Sequence, residues 1–200
     1  RVVFKDPGGE HDDGLTLDGT QVAGGLTYVG GAQSDNVVIG GQPARLTGDV
    51  RISFGTQDKS EYSSFTHHPG SVIDGRVGVS GGPEGRDVVV LRGTIKGDVE
   101  FNLGGGTNET EVSGIFQGAA FRYAGGSGVD QINYKPSDGS ARARFIARLG
   151  DGADAVTFTT TVGPLPGTPV NPKFAFIDFG AGSDSFTGVV NFDCQFLNLV

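Results

Sequence analysis

Three features of these 200 residues predict an all-β chain wound as a right-handed parallel β-helix of about eight coils. First, an acidic or amide residue recurs at Asp13, Asp35, Glu61, Asp87, Asn108, Asp130, Asp154 and Asp184. The spacing runs from 21 to 30 residues, and each sits between a glycine-rich turn and a short apolar strand. Second, the positions two and four residues further on are mostly apolar, as in Val37 and Ile39, Val89 and Leu91, or Ile132 and Tyr134. That is the two-residue alternation of a strand with one buried face. Third, a corner of the form apolar–any–glycine repeats with the same period at Val22–Gly24, Leu46–Gly48, Ile73–Gly75, Ile95–Gly97 and Phe116–Gly118. A β-sandwich is the alternative, because short strands and frequent turns suit it too. Two ladders sharing one period argue against it.

Composition agrees. Glycine supplies 36 residues, about two and a half times the usual share of about 7%. The glycines fall at turns rather than in a collagen triplet, and Val, Ile, Phe and Thr dominate between them. No segment carries a convincing 3.6-residue apolar period, so little helix is expected. The formal net charge of −8 disfavours a nucleic-acid partner, which needs a basic face. No segment reaches the roughly 18 apolar residues of a membrane span. Cys194 is the single cysteine, so no internal disulfide forms; it reads as a small buried hydrophobe.

Taken in order, the whole chain 1–200 reads as one solenoid domain. Residues 98–103 form a strand with Val99, Phe101 and Leu103 on one face; Gly104–Asn108 is the turn, and Thr110 and Val112 point inward beyond it. The same phrase recurs from Leu149 to Phe158 and from Phe179 to Phe186. A coil of this length holds about three short strands, and successive coils stack roughly 4.8 Å apart. Two stretches break the period and read as inserted loops, near 59–70 and 161–172; the second carries Pro164, Pro166, Pro169 and Pro172. The apolar tail near 189–200 reads as a cap on the last coil, since an open strand edge invites pairing with another chain.

Stacked carboxylates repel, so the acid ladder needs a physical answer. Its side chains accept hydrogen bonds from turn amides, hold cations between coils, or splay into solvent. Elsewhere, Arg142, Arg144 and Arg148 would share one strand face and suit an acidic sugar. His67, His68 and Glu61 would suit zinc only if they lay in a loop, because adjacent histidines in a strand point oppositely. No nucleophile elbow, phosphate loop or paired Cys motif occurs.

The turns Gly150-Asp151-Gly152-Ala153-Asp154-Ala155-Val156 and Gly180-Ala181-Gly182-Ser183-Asp184-Ser185-Phe186 resemble the G-x-G-x-D-x-apolar half of the calcium-binding repeat of RTX-type proteins; Gly126–Asp130 is a looser match. The resemblance implies Ca2+ between coils, with Asp130, Asp154 and Asp184 as the positions that carry over and Asp151 as an addition. Phrases such as Gly97-Asp98-Val99-Glu100-Phe101-Asn102-Leu103-Gly104 resemble bacterial exported and surface repeat proteins across nearly the whole chain. That likeness implies a secreted or cell-surface, non-enzymatic structural or adhesive module that meets a glycan or a surface protein. The alternative is a carbohydrate-active β-helix, a lyase or hydrolase, with its site beside the inserted loops.

Overall fold

A computed structural model describes residues 1–6, 12–56, 59–137, 143–159, 174–188 and 193–199. Among them every element is a strand, and every strand pair is parallel. The chain is a parallel β-solenoid, and the antiparallel pairing of a sandwich is absent from the described residues.

Each lap has up to three sides. The first side begins with Val2–Lys5 and climbs through Leu26–Val29, Val50–Ser53 and Val77–Ser80 to Phe174–Asp178 and Asp193–Leu197. The second begins with Asp13–Leu17 and climbs through Asp35–Ile39, Tyr62–His67 and Arg86–Leu91 to Ser185–Thr187. The third is a column of two-residue strands from Gln21–Val22 to Ile115–Phe116, continued by one bridge from Ile115 to Ser137. Eight acid-ladder laps are therefore present, and the first six carry all three sides among the described residues.

Two laps depart from the strand–turn–strand pattern. Val99–Val112 and Ala120–Tyr134 run continuously from the first side into the second, with register shifts at Gly104 and Gly106. The glycine run expected to be a turn thus stays paired with the next lap, although Gly104 and Gly106, with φ of 73° and 89°, bend the backbone there. Higher up, the turn residues still stack: Asp151 on Ala181 and Gly152 on Gly182.

Inward residues alternate with outward ones along most strands, and the inward set forms one continuous core. An aromatic stack climbs its later laps: Phe121 lies parallel to Phe145 at 5.1 Å, and Phe158 meets Phe186 edge-on at 5.4 Å.

The stretch 59–70 does not leave the coil as a loop. Tyr62–His67 is a second-side strand, with Ser63, Phe65 and His67 inward. The stretch 161–172 lies outside the described residues. In the tail, Asp193–Leu197 adds a ninth first-side strand on Phe174–Asp178.

Candidate functional site

Two sets of side chains carry chemistry. One is the inward acid row, and the other is a groove on the outer surface of the first side.

The acid row aligns vertically. Asp13 pairs with Asp35, Ser63 with Asp87, Asp87 with Asn108, and Asn108 with Asp130. Ser63, not Glu61, holds the third position: its hydroxyl accepts the Asp35 amide at 2.9 Å. Asp130 and Asp154 then repeat that link, each amide donating to the carboxylate one lap on: Asp130 N–H to Asp154 Oδ1 at 2.8 Å, and Asp154 N–H to Asp184 Oδ1 at 2.9 Å. Asp35, Asp87, Asp130 and Asp154 are all buried.

Two tyrosines complete the row. Tyr28 donates its hydroxyl to Asp35 Oδ1, and Tyr123 donates to Asp130 Oδ1, each at 2.7 Å. Asn108 Nδ2 donates to the same Asp130 oxygen at 2.8 Å. Burial pushes the Asp130 carboxyl up to about 6, although Tyr123, Asn108 and the Gly126 amide pull it down. Burial also pushes Asp154 up to about 6, against the pull of the Asp130 amide and with the help of neighbouring carboxylates. Burial raises Asp35 as well.

The carboxylates leave no room for side chains beside them. A Cβ at Gly30, Gly81 or Gly125 would collide with Oδ2 of Asp35, Asp87 or Asp130 respectively. The paired turn glycines have a related reason. A Cβ at Gly150 would strike the Gly126 carbonyl, and one at Gly180 the Gly150 carbonyl; the column Gly128, Gly152 and Gly182 behaves likewise. Close stacking of turn backbones accounts for the Gly-x-Gly spacing with no ion required.

The four metal candidates are not brought together as a shell. Asp130, Asp154 and Asp184 stand in the row with Oδ1 committed to hydrogen bonds, while their Oδ2 atoms have no partner. Asp151 lies exposed on the turn stack outside the row. Among the described residues, no three His, Cys, Asp or Glu side chains form a group that could hold a metal ion. In the upper laps the row's Oδ1 atoms cap backbone amides of the preceding lap.

His67 is a core residue. It occupies the column of Ile39 and Leu91, fully buried, with the Ser71 backbone as its polar neighbour. Burial pushes its imidazole down to about 4. It does not converge with Glu61 and His68 on a metal. Arg144 and Arg148 do share an exposed outward face, with Ile146 between them; Arg142 lies outside the described residues.

The groove was not legible as such. Its floor is the outward first-side row Thr27, Arg51, Gly78, Glu100 and Arg122, in direct register from lap to lap. Gly78 has no side chain, so the row opens between Arg51 and Glu100. Ser53, Ser80 and Asn102 form one wall and Asp49, Arg76 and Asp98 the other, enclosing about 650 Å³. The corner acids are tied down. Asp49 accepts the Arg76 amide at 3.0 Å and pairs with Arg51 at 3.0 Å. Asp98 accepts the Ala119 amide at 2.8 Å and faces Arg122 at 3.7 Å. Among the described residues, the Arg76 guanidinium and the Glu100 carboxylate have no ion-pair partner and remain available to a ligand. The usable signal was the register itself, which sets residues from five laps side by side.

No protein-family model matches the chain, and neither a curated protein nor a solved structure matches it. Among the described residues, no helix is long and apolar enough to cross a membrane.

Proposed function

We propose that this chain is a non-enzymatic, exported structural or adhesive module whose first-side groove binds an extended glycan. The observation that supports this most is the gap at Gly78, walled by unpaired Arg76 and Glu100 and by hydroxyl and amide side chains. An extended chain lying along the stack meets a fresh outward row about every 4.8 Å. Guanidinium, carboxylate, hydroxyl and amide groups are the donors and acceptors that sugar hydroxyls use. A rigid scaffold keeps them in place without ordering cost.

The carbohydrate-active alternative needs two carboxylates flanking one bond. In the groove Asp49 and Asp98 are engaged by amides and arginines, which leaves Glu100 as the free acid. That supports binding over cleavage.

The test is a glycan array followed by calorimetry on the hits, using the wild-type chain and Gly78→Gln. A Cβ at Gly78 meets nothing closer than 4.0 Å, so the substitution fills the gap without strain. The expected result is binding lost in Gly78→Gln with melting unchanged and no new reducing ends. No glycan binding by the wild-type chain, or binding indifferent to Gly78→Gln, would overturn the reading.

A further inference from the structure

The outward face of the first side changes character above the groove. Through the groove its charges are mixed, with Arg51 and Arg76 standing among Asp49, Asp98 and Glu100. The next two laps carry Arg122, Arg144 and Arg148, with no acid between them. Arg122 ends the groove floor, and Ile146 continues that column one lap on. Arg144 and Arg148 flank Ile146 on its own strand. Strand geometry sets their Cα atoms about 13 Å apart, and each about 8 Å from that of Arg122. Arginine side chains are long enough to gather over Ile146 from those three points.

All three arginines are exposed, in a chain of net charge −8. The acids that border the patch are engaged by other groups. Asp98 Oδ1 accepts the Ala119 and Ala120 amides at 2.8 and 3.1 Å, and Asp98 meets Arg122 only at 3.7 Å. Asp178, in register with Arg148 one lap on, accepts from Asn198 at 2.8 Å and from the Gly180 amide at 3.3 Å. Among the described residues, neither Arg144 nor Arg148 has an ion-pair partner. The column stays apolar above Ile146, where half-buried, outward Phe176 pairs with it. We infer that the glycan of the groove is acidic, and that Arg122, Arg144 and Arg148 hold its carboxylate or sulfate groups while Ile146 and Phe176 meet the apolar face of a sugar ring. This rests on the glycan reading of the groove and names the class of sugar. A guanidinium suits either anion, because both accept paired N–H donors. A chain leaving the groove at Arg122 reaches Ile146 along the same column, without a change of direction.

The experiment is calorimetry of the wild-type chain against two matched pairs of probes: oligogalacturonate with its methyl ester, and dextran sulfate with dextran. The first pair isolates a carboxylate and the second a sulfate. Arg144→Gln/Arg148→Gln tests the patch and Gly78→Gln the groove. Arg86→Gln/Arg92→Gln removes the same charge from the second side, and melting curves check that each variant folds. At least one acidic probe should bind more tightly than its neutral partner, with affinity falling as salt rises. Arg144→Gln/Arg148→Gln should weaken that probe by about tenfold or more, the loss of one charge-assisted hydrogen bond, and the second-side variant should not. Equal affinity for acidic and neutral partners would overturn the inference. So would an acidic preference that survives Arg144→Gln/Arg148→Gln or falls equally in the second-side variant. In each of these cases the groove reading still stands if Gly78→Gln abolishes binding. Loss at the arginines with indifference to Gly78→Gln would uphold the patch and overturn the groove. Binding of none of the four probes would overturn the inference.

Discussion

Tyr123 donates its hydroxyl to Asp130 Oδ1 at 2.7 Å, across the turn that joins the first side to the second. Tyr28 does the same to Asp35, also seven residues on. Each tyrosine occupies an inward first-side position where neighbouring laps place aliphatic or aromatic side chains. Each acid occupies an inward second-side position. The pair makes a buried carboxylate tolerable by meeting one of its oxygens, and the amide of the preceding lap or a neighbouring side chain meets others in the row.

Removing the hydroxyl should therefore cost more than an ordinary hydrogen bond. Tyr123→Phe should lower unfolding free energy by about 1–3 kcal/mol, the range for a hydrogen bond to a charged group, with Asn108 still donating to the same oxygen. Urea unfolding at pH 7.5 measures it. A change within about 0.5 kcal/mol would mean the contact carries no weight.

The acid row makes a signed prediction about pH. Asp130 and Asp154 titrate near 6 in the fold, against about 3.9 for an unfolded aspartate. Between these values the folded chain holds protons that the unfolded chain has lost. Their contribution is fully present below about pH 4 and is lost as pH rises through 6. Asp154→Asn, which copies the Asn108 already in the row, should raise Tm by a few degrees at pH 7.5 and leave it unchanged near pH 4. A uniform effect across that range would contradict it.

His67 pulls the other way. Its imidazole is held near 4, below the usual 6.5, so its unfolded form takes up a proton first and stability falls as pH drops from 6.5 toward 4. His67→Leu matches Leu91 one lap on. It should stabilise the fold by about 1–3 kcal/mol by replacing a fully buried polar ring, whose backbone contact is with Ser71, with an apolar side chain. It should also remove that acid-side loss. Destabilisation would mean the imidazole has a partner worth keeping.

Two glycines should respond oppositely to alanine. At Gly150, with φ of 93° and the Gly126 carbonyl in the way, alanine should lower Tm by ten degrees or more, or abolish folding. At Gly78, where the space is open, alanine should be neutral or stabilise by about 0.5–1 kcal/mol. Equal effects would refute the stacked-turn explanation of the Gly-x-Gly phrases.

If the row caps amides without calcium, excess chelator should leave the melting curve in place and added Ca2+ should not move it. A chelator-induced drop of several degrees would restore the ion.

Much of this was readable before any coordinates. The corner glycines Gly24, Gly48, Gly75, Gly97 and Gly118 do stack, each leaving no room for a Cβ on the next. The parity of the acids was readable too: a residue whose second and fourth successors are inward must itself be inward, so burial of Asp35 and Asp130 followed from the alternation. The slip at Glu61 has a physical cause. A shift of two residues keeps every side chain on its own face, so alternation cannot distinguish Glu61 from Ser63, and only pairing with Asp87 decides. The same slip hid His67 in the core column. The tyrosine partners and the Gly78 gap depend on neighbours across a turn or across laps, which one strand's pattern does not encode.

Carbon-13 NMR titration of the aspartate side chains tests the buried row most directly. Asp130 and Asp154 should titrate with midpoints near 6. Midpoints near 4 for both would mean that these carboxylates face water and that the laps do not enclose them.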